Sequence, residues 1–138
     1  MKCPACDNEL SEKLAGNITV DVCEGGCGGI WFDRFELQKV DNLEETEGES
    51  LLNIQKSPEV EVNHNLRRYC PKCPNILMMR HYYGVKKQVL VDECPSCAGF
   101  WLDAGELAAI RSQFSSEMEK EIVTEQYIAD IVGKYLGT

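Results

Sequence analysis

The sequence predicts a small α+β protein made of two β-hairpin units, each followed by a helix, with a helical tail at the C-terminus. Three observations predict it: the eight cysteines fall in four close pairs, the second half of the chain repeats the first, and alternating apolar residues lie between the pairs. Each copy has fewer than about 40 residues, and units of that size rarely fold without a metal ion or disulfide bonds. We therefore expect a metal-stabilised fold.

The spacing of the cysteines favours a structural metal site in each copy. Between the inner cysteines of a copy lie 16 residues in the first and 20 in the second. Two short turns separated in this way supply four sulfur atoms at the corners of a tetrahedron, which is typical of structural zinc. The sequence therefore predicts two Zn²⁺ per chain. The expected ligands are Cys3, Cys6, Cys23 and Cys27 in the first copy and Cys70, Cys73, Cys94 and Cys97 in the second.

Three other interpretations of the cysteines compete with zinc. A disulfide framework requires an oxidising compartment, whereas we expect a cytoplasmic protein, because Cys3 lies where the apolar region of a signal peptide would be. A thioredoxin-like pair needs a βαβ context that the sequence does not contain. Iron also accepts four thiolates in a tetrahedron, so the ligands alone do not distinguish it from zinc. No apolar run approaches the ~18 residues of a membrane helix.

A β-hairpin is predicted between the two cysteine pairs of each copy. In the first copy Gly16-Asn17 is a turn signal, and apolar residues alternate with polar ones over residues 18–22. In the second copy we place the turn at Tyr83-Gly84, between outgoing residues 76–82 and returning residues 85–91. Each hairpin would return the chain to the second cysteine pair.

A helix is predicted after each copy. Asp33 and Glu36, like Asp103 and Glu106, have the spacing of a capping box, in which the aspartate caps the helix N-terminus and the glutamate closes back on it. We favour this over a catalytic or second-metal role for the paired carboxylates. Trp31 and Trp101 are flanked by apolar residues, so we expect core packing rather than base stacking.

The remaining segments are a linker and a tail. The linker is acidic and irregular, with a short alternating strand predicted at residues 59–62. Apolar residues continue at three- and four-residue steps through the tail, as one helix or two, and would either pack back on the two repeats or mediate self-association. The boundaries are 1–46 for the first unit with its helix, 47–66 for the linker, 67–115 for the second unit with its helix, and 116–138 for the tail.

These motifs resemble a known family. The pattern Cys-Pro-x-Cys, a hairpin, and then Cys-x-x-Cys-x-Gly-x-Trp-Leu-Asp-x-Gly-Glu-Leu is similar to the TFIIB-type zinc-ribbon domain. Residues 94–107 match it throughout, whereas the first copy departs in its longer Cys23–Cys27 turn and at Phe35, where the pattern has glycine. The resemblance implies a zinc-ribbon fold and a bound metal, and implies activity only weakly.

Charge and chemistry together limit the function. The formal net charge is −9, which argues against a protein that coats nucleic acid, although the second copy is basic. We expect a non-enzymatic, zinc-binding protein-interaction or regulatory module that does not bind membranes, with a protein partner or self-association through the C-terminal helix. The alternatives are nucleic-acid binding through the second copy, and a thiol redox or zinc-release sensor. The candidate contact residues are Arg67, Arg68, Lys72, Tyr82, Tyr83, Lys86 and Lys87.

Overall fold

The first hairpin forms where the alternating pattern predicts it. The computed structural model describes residues 1–41, 46–83 and 89–113. Strand β1, Ser11–Ala15, pairs antiparallel with β2, Ile18–Val22, and the chain turns at Gly16-Asn17. Gly16 has a φ of 63°, a left-handed conformation that glycine adopts without steric cost. A third strand, β3 (Ile30–Phe32), returns beside β2.

The second copy repeats this arrangement with a longer connection. Strand β4, Met79–Tyr83, pairs with β5, Val89–Glu93, and β6, Phe100–Leu102, pairs with β5. The prediction that Tyr83 begins the turn is wrong, since Tyr83 is the last residue of β4 and pairs with Val89. Residues 84–88, which connect the two strands, include the rest of that predicted turn and lie outside the described residues.

The two copies join into one six-stranded antiparallel sheet. Its order is β1-β2-β3-β6-β5-β4, so the equivalent strands β3 and β6 are neighbours at the centre. Trp31 pairs with Trp101, and the residues on either side pair reciprocally. The register therefore relates the copies by an approximate two-fold axis through the tryptophan pair.

Each face of the sheet carries its own apolar cluster. One face is lined by aliphatic residues of the hairpins together with Phe32, Phe100 and Leu102, and short helices pack on it. The other face holds both tryptophans, Met78 and five of the cysteines in a single cluster. The sheet thus separates an ordinary hydrophobic core from the layer that contains the sulfur groups.

The helices are shorter than predicted. After the first copy the described residues up to 41 form a 3₁₀ turn, Leu37–Lys39, and after the second copy α1 spans Glu106–Arg111. Leu37 and Val40 are buried in the first copy, as Leu107 and Ile110 are in the second. The continuation of the second helix beyond residue 113 and the predicted tail, 116–138, lie outside the described residues.

The linker is partly structured. A second 3₁₀ segment, Thr46–Asn53, packs against β1 and buries Leu51. Residues 59–62, all within the described part of the chain, form no strand, so that prediction is wrong. Val60 and Val62 instead pack as single half-buried residues against the sulfur-containing cluster, which alternation alone does not distinguish from a strand. Among the described residues, no helix is long and apolar enough to cross a membrane.

Candidate metal centres

The first group of four sulfur atoms comes from two turns of the first copy. The Sγ atoms of Cys3, Cys6, Cys23 and Cys27 all lie within 4.8 Å of one another. Cys3 Sγ is 3.5 Å from Cys27 Sγ, and Cys6 Sγ is 3.4 Å from Cys23 Sγ. A tetrahedron with Zn–S bonds of ~2.3 Å has S–S edges of ~3.8 Å. The group is therefore already close to the size of a zinc site.

The second group has the same form. The Sγ atoms of Cys70, Cys73, Cys94 and Cys97 also lie within 4.8 Å of one another, and Cys70 Sγ is 3.8 Å from Cys97 Sγ. In both groups the first cysteine of each turn is buried, and Cys6, Cys73 and Cys97 are half-buried. The structure brings together the eight cysteines that the spacing grouped, four in each copy.

Backbone N–H groups point at the sulfur atoms. In three of the turns the first cysteine accepts two such bonds, as Cys3 Sγ does from Ala5 N at 3.3 Å and Cys6 N at 3.4 Å. The same pair of bonds reaches Cys70 Sγ and Cys94 Sγ. Because these donors stabilise negative charge on sulfur, they favour thiolates, the form that binds metal.

The longer turn of the first copy reaches the same result with glycine. Cys27 N donates to Cys23 Sγ at 3.3 Å across the extra residue. A Cβ atom at Gly26 would lie 2.5 Å from Cys23 Sγ, so this position has no room for a side chain. Gly25 has a φ of 79°, which glycine adopts readily. The insertion is therefore accommodated without moving the sulfur atoms out of the group.

The thiols of the first group compete for protons. The hydrogen bond from the Cys27 thiol lowers the pKa of Cys3 to about 5, and the same contact raises the pKa of Cys27. Burial raises the pKa of Cys23 to about 11 and that of Cys70 in the second group to about 12. Four sulfur atoms this close cannot all be anionic without a cation among them. A divalent metal ion supplies that charge, and the all-thiolate donor set fits zinc.

The two tryptophans interlock the copies behind the sulfur groups. Trp31 and Trp101 are both 0% exposed, so the predicted core role is confirmed. The indole of each lies against a glycine of the other copy: a Cβ at Gly99 would lie 2.2 Å from Trp31 Cζ2, and one at Gly29 would lie 2.2 Å from Trp101 Cζ2. The glycine and tryptophan of the Cys-x-Gly-x-Trp motif thus complement each other between copies.

The aspartates of the predicted capping boxes have a different role. Neither helical segment has a side-chain cap, so the prediction that Asp33 and Asp103 cap helices is wrong. Asp33 Oδ1 accepts from Trp31 Nε1 at 3.1 Å, and Asp103 Oδ1 accepts from Trp101 Nε1 at 3.0 Å. A buried indole N–H group needs a hydrogen-bond acceptor, and these carboxylates accept from the indoles instead of from the backbone at the helix N-termini. Of the two hydrogen bonds of each capping box, the one to the glutamate is present: the Asp33 N–H donates to Glu36, and the Asp103 N–H donates to Glu106.

Two of the basic residues predicted as contacts form ion pairs with carboxylates of the same chain, and of these Arg68 is buried whereas Lys72 remains exposed. Arg68 is 4% exposed, and its Nη1 lies 3.1 Å from Asp92 Oδ2 and 2.9 Å from Asp103 Oδ2. Lys72 Nζ lies 2.8 Å from Asp33 Oδ1, an ion pair between the two copies. Arg68 therefore connects the start of the second copy to β5 and to Asp103, and Lys72 connects the second copy to the first. Asp92 belongs to this network and was not singled out from the sequence.

The other candidate contacts that the structure describes have different surroundings. Arg67 is exposed and its guanidinium donates to Met78 O. Tyr82 is 56% exposed on β4, whereas the Tyr83 hydroxyl donates to Asp41 Oδ2 at 2.7 Å. Lys86 and Lys87 lie outside the described residues.

The two histidines are not in the sulfur groups. His64 Nδ1 lies 2.9 Å from Asp103 Oδ2, which ties the linker to the Arg68 network. His81 Nε2 lies 3.3 Å from Glu93 Oε1 on the neighbouring strand. Both side chains thus pair with carboxylates outside the two sulfur groups.

An open groove separates the two Cys-Pro-x-Cys turns. It has a volume of about 660 Å³ and is lined by residues 2–7 of the first copy and 67–71 of the second; we call it the knuckle groove. Lys2 and Arg67 are exposed on its walls, and Asp7 is its exposed acidic residue.

Comparison with protein-family models finds the same two units. The model described as "Transcription factor zinc-finger" matches residues 2–42 and residues 69–112, more than half of the chain. The comparisons with curated proteins and with solved structures gave no match. The family matches and the two four-cysteine groups together show a protein with two tandem zinc ribbons that binds two zinc ions.

Proposed function

This chain belongs to the transcription factor zinc-finger family, and from that premise we propose that it is a non-enzymatic protein-interaction module with a regulatory role. Both zinc ions are structural, because four thiolates fill the four positions of a tetrahedral ion and leave none for water or substrate. We place the protein in a reducing compartment such as the cytoplasm, since eight reduced cysteines persist there.

The knuckle groove is the observation that carries the proposal. Its walls are the two metal-held turns, so zinc fixes the shape of a surface formed by both copies. Lys2 and Arg67 place two cations beside Pro4 and Pro71, which gives the groove both charge and apolar surface. Lys2 also forms an exposed ion pair with Glu9, at 3.5 Å. We propose that it binds an extended segment of a partner protein that carries acidic side chains.

Peptide display on the zinc-loaded full chain tests this function. We expect selection to enrich acidic peptides, and the charge-reversed variant Lys2→Glu/Arg67→Glu to bind a selected peptide at least about tenfold more weakly in fluorescence anisotropy. Lys39→Glu is the matched control, because Lys39 is exposed on the 3₁₀ turn and does not line the groove. Equal loss in the control, or no enrichment on the zinc-loaded chain, would count against the proposal.

Nucleic-acid binding is the second candidate, and the family description favours it. The burial of Arg68 lessens its support, because a cation held inside the protein by Asp92 and Asp103 is not available for phosphate contacts. The remaining basic candidates are Arg67, Lys72, Lys86 and Lys87. If this function holds, affinity for single-stranded oligonucleotides will fall steeply with salt, and replacing these four residues by alanine will reduce the salt dependence.

A further inference from the structure

An apolar strip lies on the outer edge of the second copy. Tyr69, Leu77 and Met79 are 59%, 41% and 48% exposed, respectively. Tyr69 and Leu77 face each other in an antiparallel bridge, and Leu77 and Met79 are two residues apart on the same extended chain. Cross-strand partners and alternate residues share a face, so the three side chains form one surface, the edge strip.

The edge strip continues the face on which the helices pack. His81 and Tyr83 follow Met79 at alternate positions of β4, and both rings contact Phe100, with centroids 6.1 and 5.7 Å apart. Tyr83 packs against the main apolar cluster. Among the described residues, the strip is therefore the margin of the core face that stays exposed.

The first copy has polar residues at the equivalent positions. Its outer bridge joins Lys2 to Glu9 where the second copy has Tyr69 and Leu77. Ser11 begins β1, paired with the last residue of β2, as Met79 begins β4, paired with the last residue of β5. The apolar character is thus specific to the second copy, and the shared zinc-ribbon framework does not require it.

The first copy also indicates what covers an outer strand. After Val40 the chain continues into the 3₁₀ segment Thr46–Asn53, which packs against β1 and buries Leu51. In the second copy the described chain ends at Gln113, whose Nε2 donates to Tyr83 O at 3.4 Å. The described chain therefore ends beside the last residue of β4.

The sequence after Gln113 suits such a cover. Thr46-Glu47 precedes Leu51-Leu52 in the first copy, and Ser116-Glu117 precedes Ile122-Val123 in the second, with one more residue between. The 25 residues 114–138 carry five acidic and two basic side chains, whereas residues 66–104 carry three acidic and six basic ones. Charge therefore favours contact between this segment and the second copy.

We propose that residues 114–138 of the same chain dock on the edge strip, with Ile122 and Val123 taking the place over β4 that Leu51 has over β1. The distances allow it. Met79 is four residues along β4 from Tyr83, or ~13 Å, and nine helical residues rise by about the same length. The segment makes no new site and closes the core face of the second copy, so the proposal is independent of the knuckle groove.

Photo-cross-linking in the zinc-loaded full chain tests the proposal. A benzophenone amino acid replaces Met79, the protein is mixed with an equal amount of ¹⁵N-labelled protein, and linked peptides are identified by mass spectrometry. We expect links from position 79 to residues 114–138 within one chain. Links between labelled and unlabelled chains would show that a second copy occupies the strip and would overturn the proposal, as would the absence of links to this segment.

A matched control uses the opposite face of the same strand. Tyr82 is 56% exposed and pairs with Leu90, away from the core face. A probe at position 82 should give no links to residues 114–138, and equal linking from both positions would overturn the proposal.

Hydrogen exchange gives a second measurement that needs no probe. Ile122→Glu/Val123→Glu places two charges where the proposal requires apolar contact. We expect exchange of the amides of β4 to become at least about tenfold faster, while β1 amides and the content of two zinc ions stay unchanged. Unchanged exchange in β4 would overturn the proposal.

Discussion

Gly99→Ala should destabilise the contact between the two copies at the centre of the sheet. The added Cβ would lie 2.2 Å from Trp31 Cζ2, 2.6 Å from Trp31 Cη2 and 3.0 Å from Phe32 O. Because Trp31 is 0% exposed, its ring has no free space to move into. Its hydrogen bond to Asp33 also holds the ring in its orientation. Overpacking a filled core costs about 1–3 kcal/mol. Because the neighbours are a buried ring and a backbone carbonyl, we expect ~3 kcal/mol.

The assay is denaturant unfolding of the zinc-loaded protein, followed by tryptophan fluorescence. The loss of unfolding free energy caused by Gly99→Ala should be smaller in a Trp31→Phe background. The two atoms closest to the added Cβ belong to the six-membered ring of the indole, and the smaller side chain of phenylalanine does not reach that position. Gly105→Ala is the contrast: its Cβ would meet nothing within 4 Å, so only its φ of 86° opposes it, at about 1–2 kcal/mol. A loss below ~0.5 kcal/mol for Gly99→Ala, with no dependence on residue 31, would refute the interlocking of the copies.

Two further predictions concern buried charges. Asp103→Asn removes a charged partner of the buried Arg68, which should lower the free energy of unfolding by ~3 kcal/mol. Asp33→Asn keeps an oxygen acceptor for Trp31 and loses the charge of the half-exposed pair with Lys72, so it should cost less than ~1 kcal/mol. Equal losses in denaturant unfolding would contradict the network. Burial raises the pKa of Glu106 from 4.5 to about 8, so its contribution to stability is full below pH 4.5 and is lost as the pH rises through 8. The stability of wild type relative to Glu106→Gln should therefore fall between pH 4.5 and pH 8 in parallel unfolding series, and a constant difference would show that the carboxyl has an ordinary pKa.

Three features of the protein could be predicted from its sequence. Cysteine spacing grouped the eight sulfur atoms because short turns and a hairpin leave little choice of geometry. The turn at Gly16-Asn17 follows from alternation and from a glycine that adopts positive φ. The burial of Trp31 and Trp101 follows from their apolar neighbours and from how little core such small units have.

Features that depend on competition between side chains or on contacts between the copies could not be predicted. Asp103 has the local pattern of a helix cap, but the indole of Trp101 and the guanidinium of Arg68 outcompete the helix N-terminus for its oxygens. Pairing of β3 with β6 leaves only a short signal in each copy, a glycine two residues before the tryptophan. That signal could have indicated a close approach to the backbone, although not which ring makes it.

Metal content tests the central claim most directly. Native mass spectrometry and elemental analysis of the purified full chain should give two zinc ions per chain and no iron. On complete chelation, all eight cysteines should become titratable thiols and both ribbons should unfold, as seen by circular dichroism and proteolysis. A Cys73→Ser chain should retain one zinc ion, held by the first group. Fewer than two zinc ions in the native protein, disulfide bonds among these cysteines, or a fold unchanged after chelation would contradict the account.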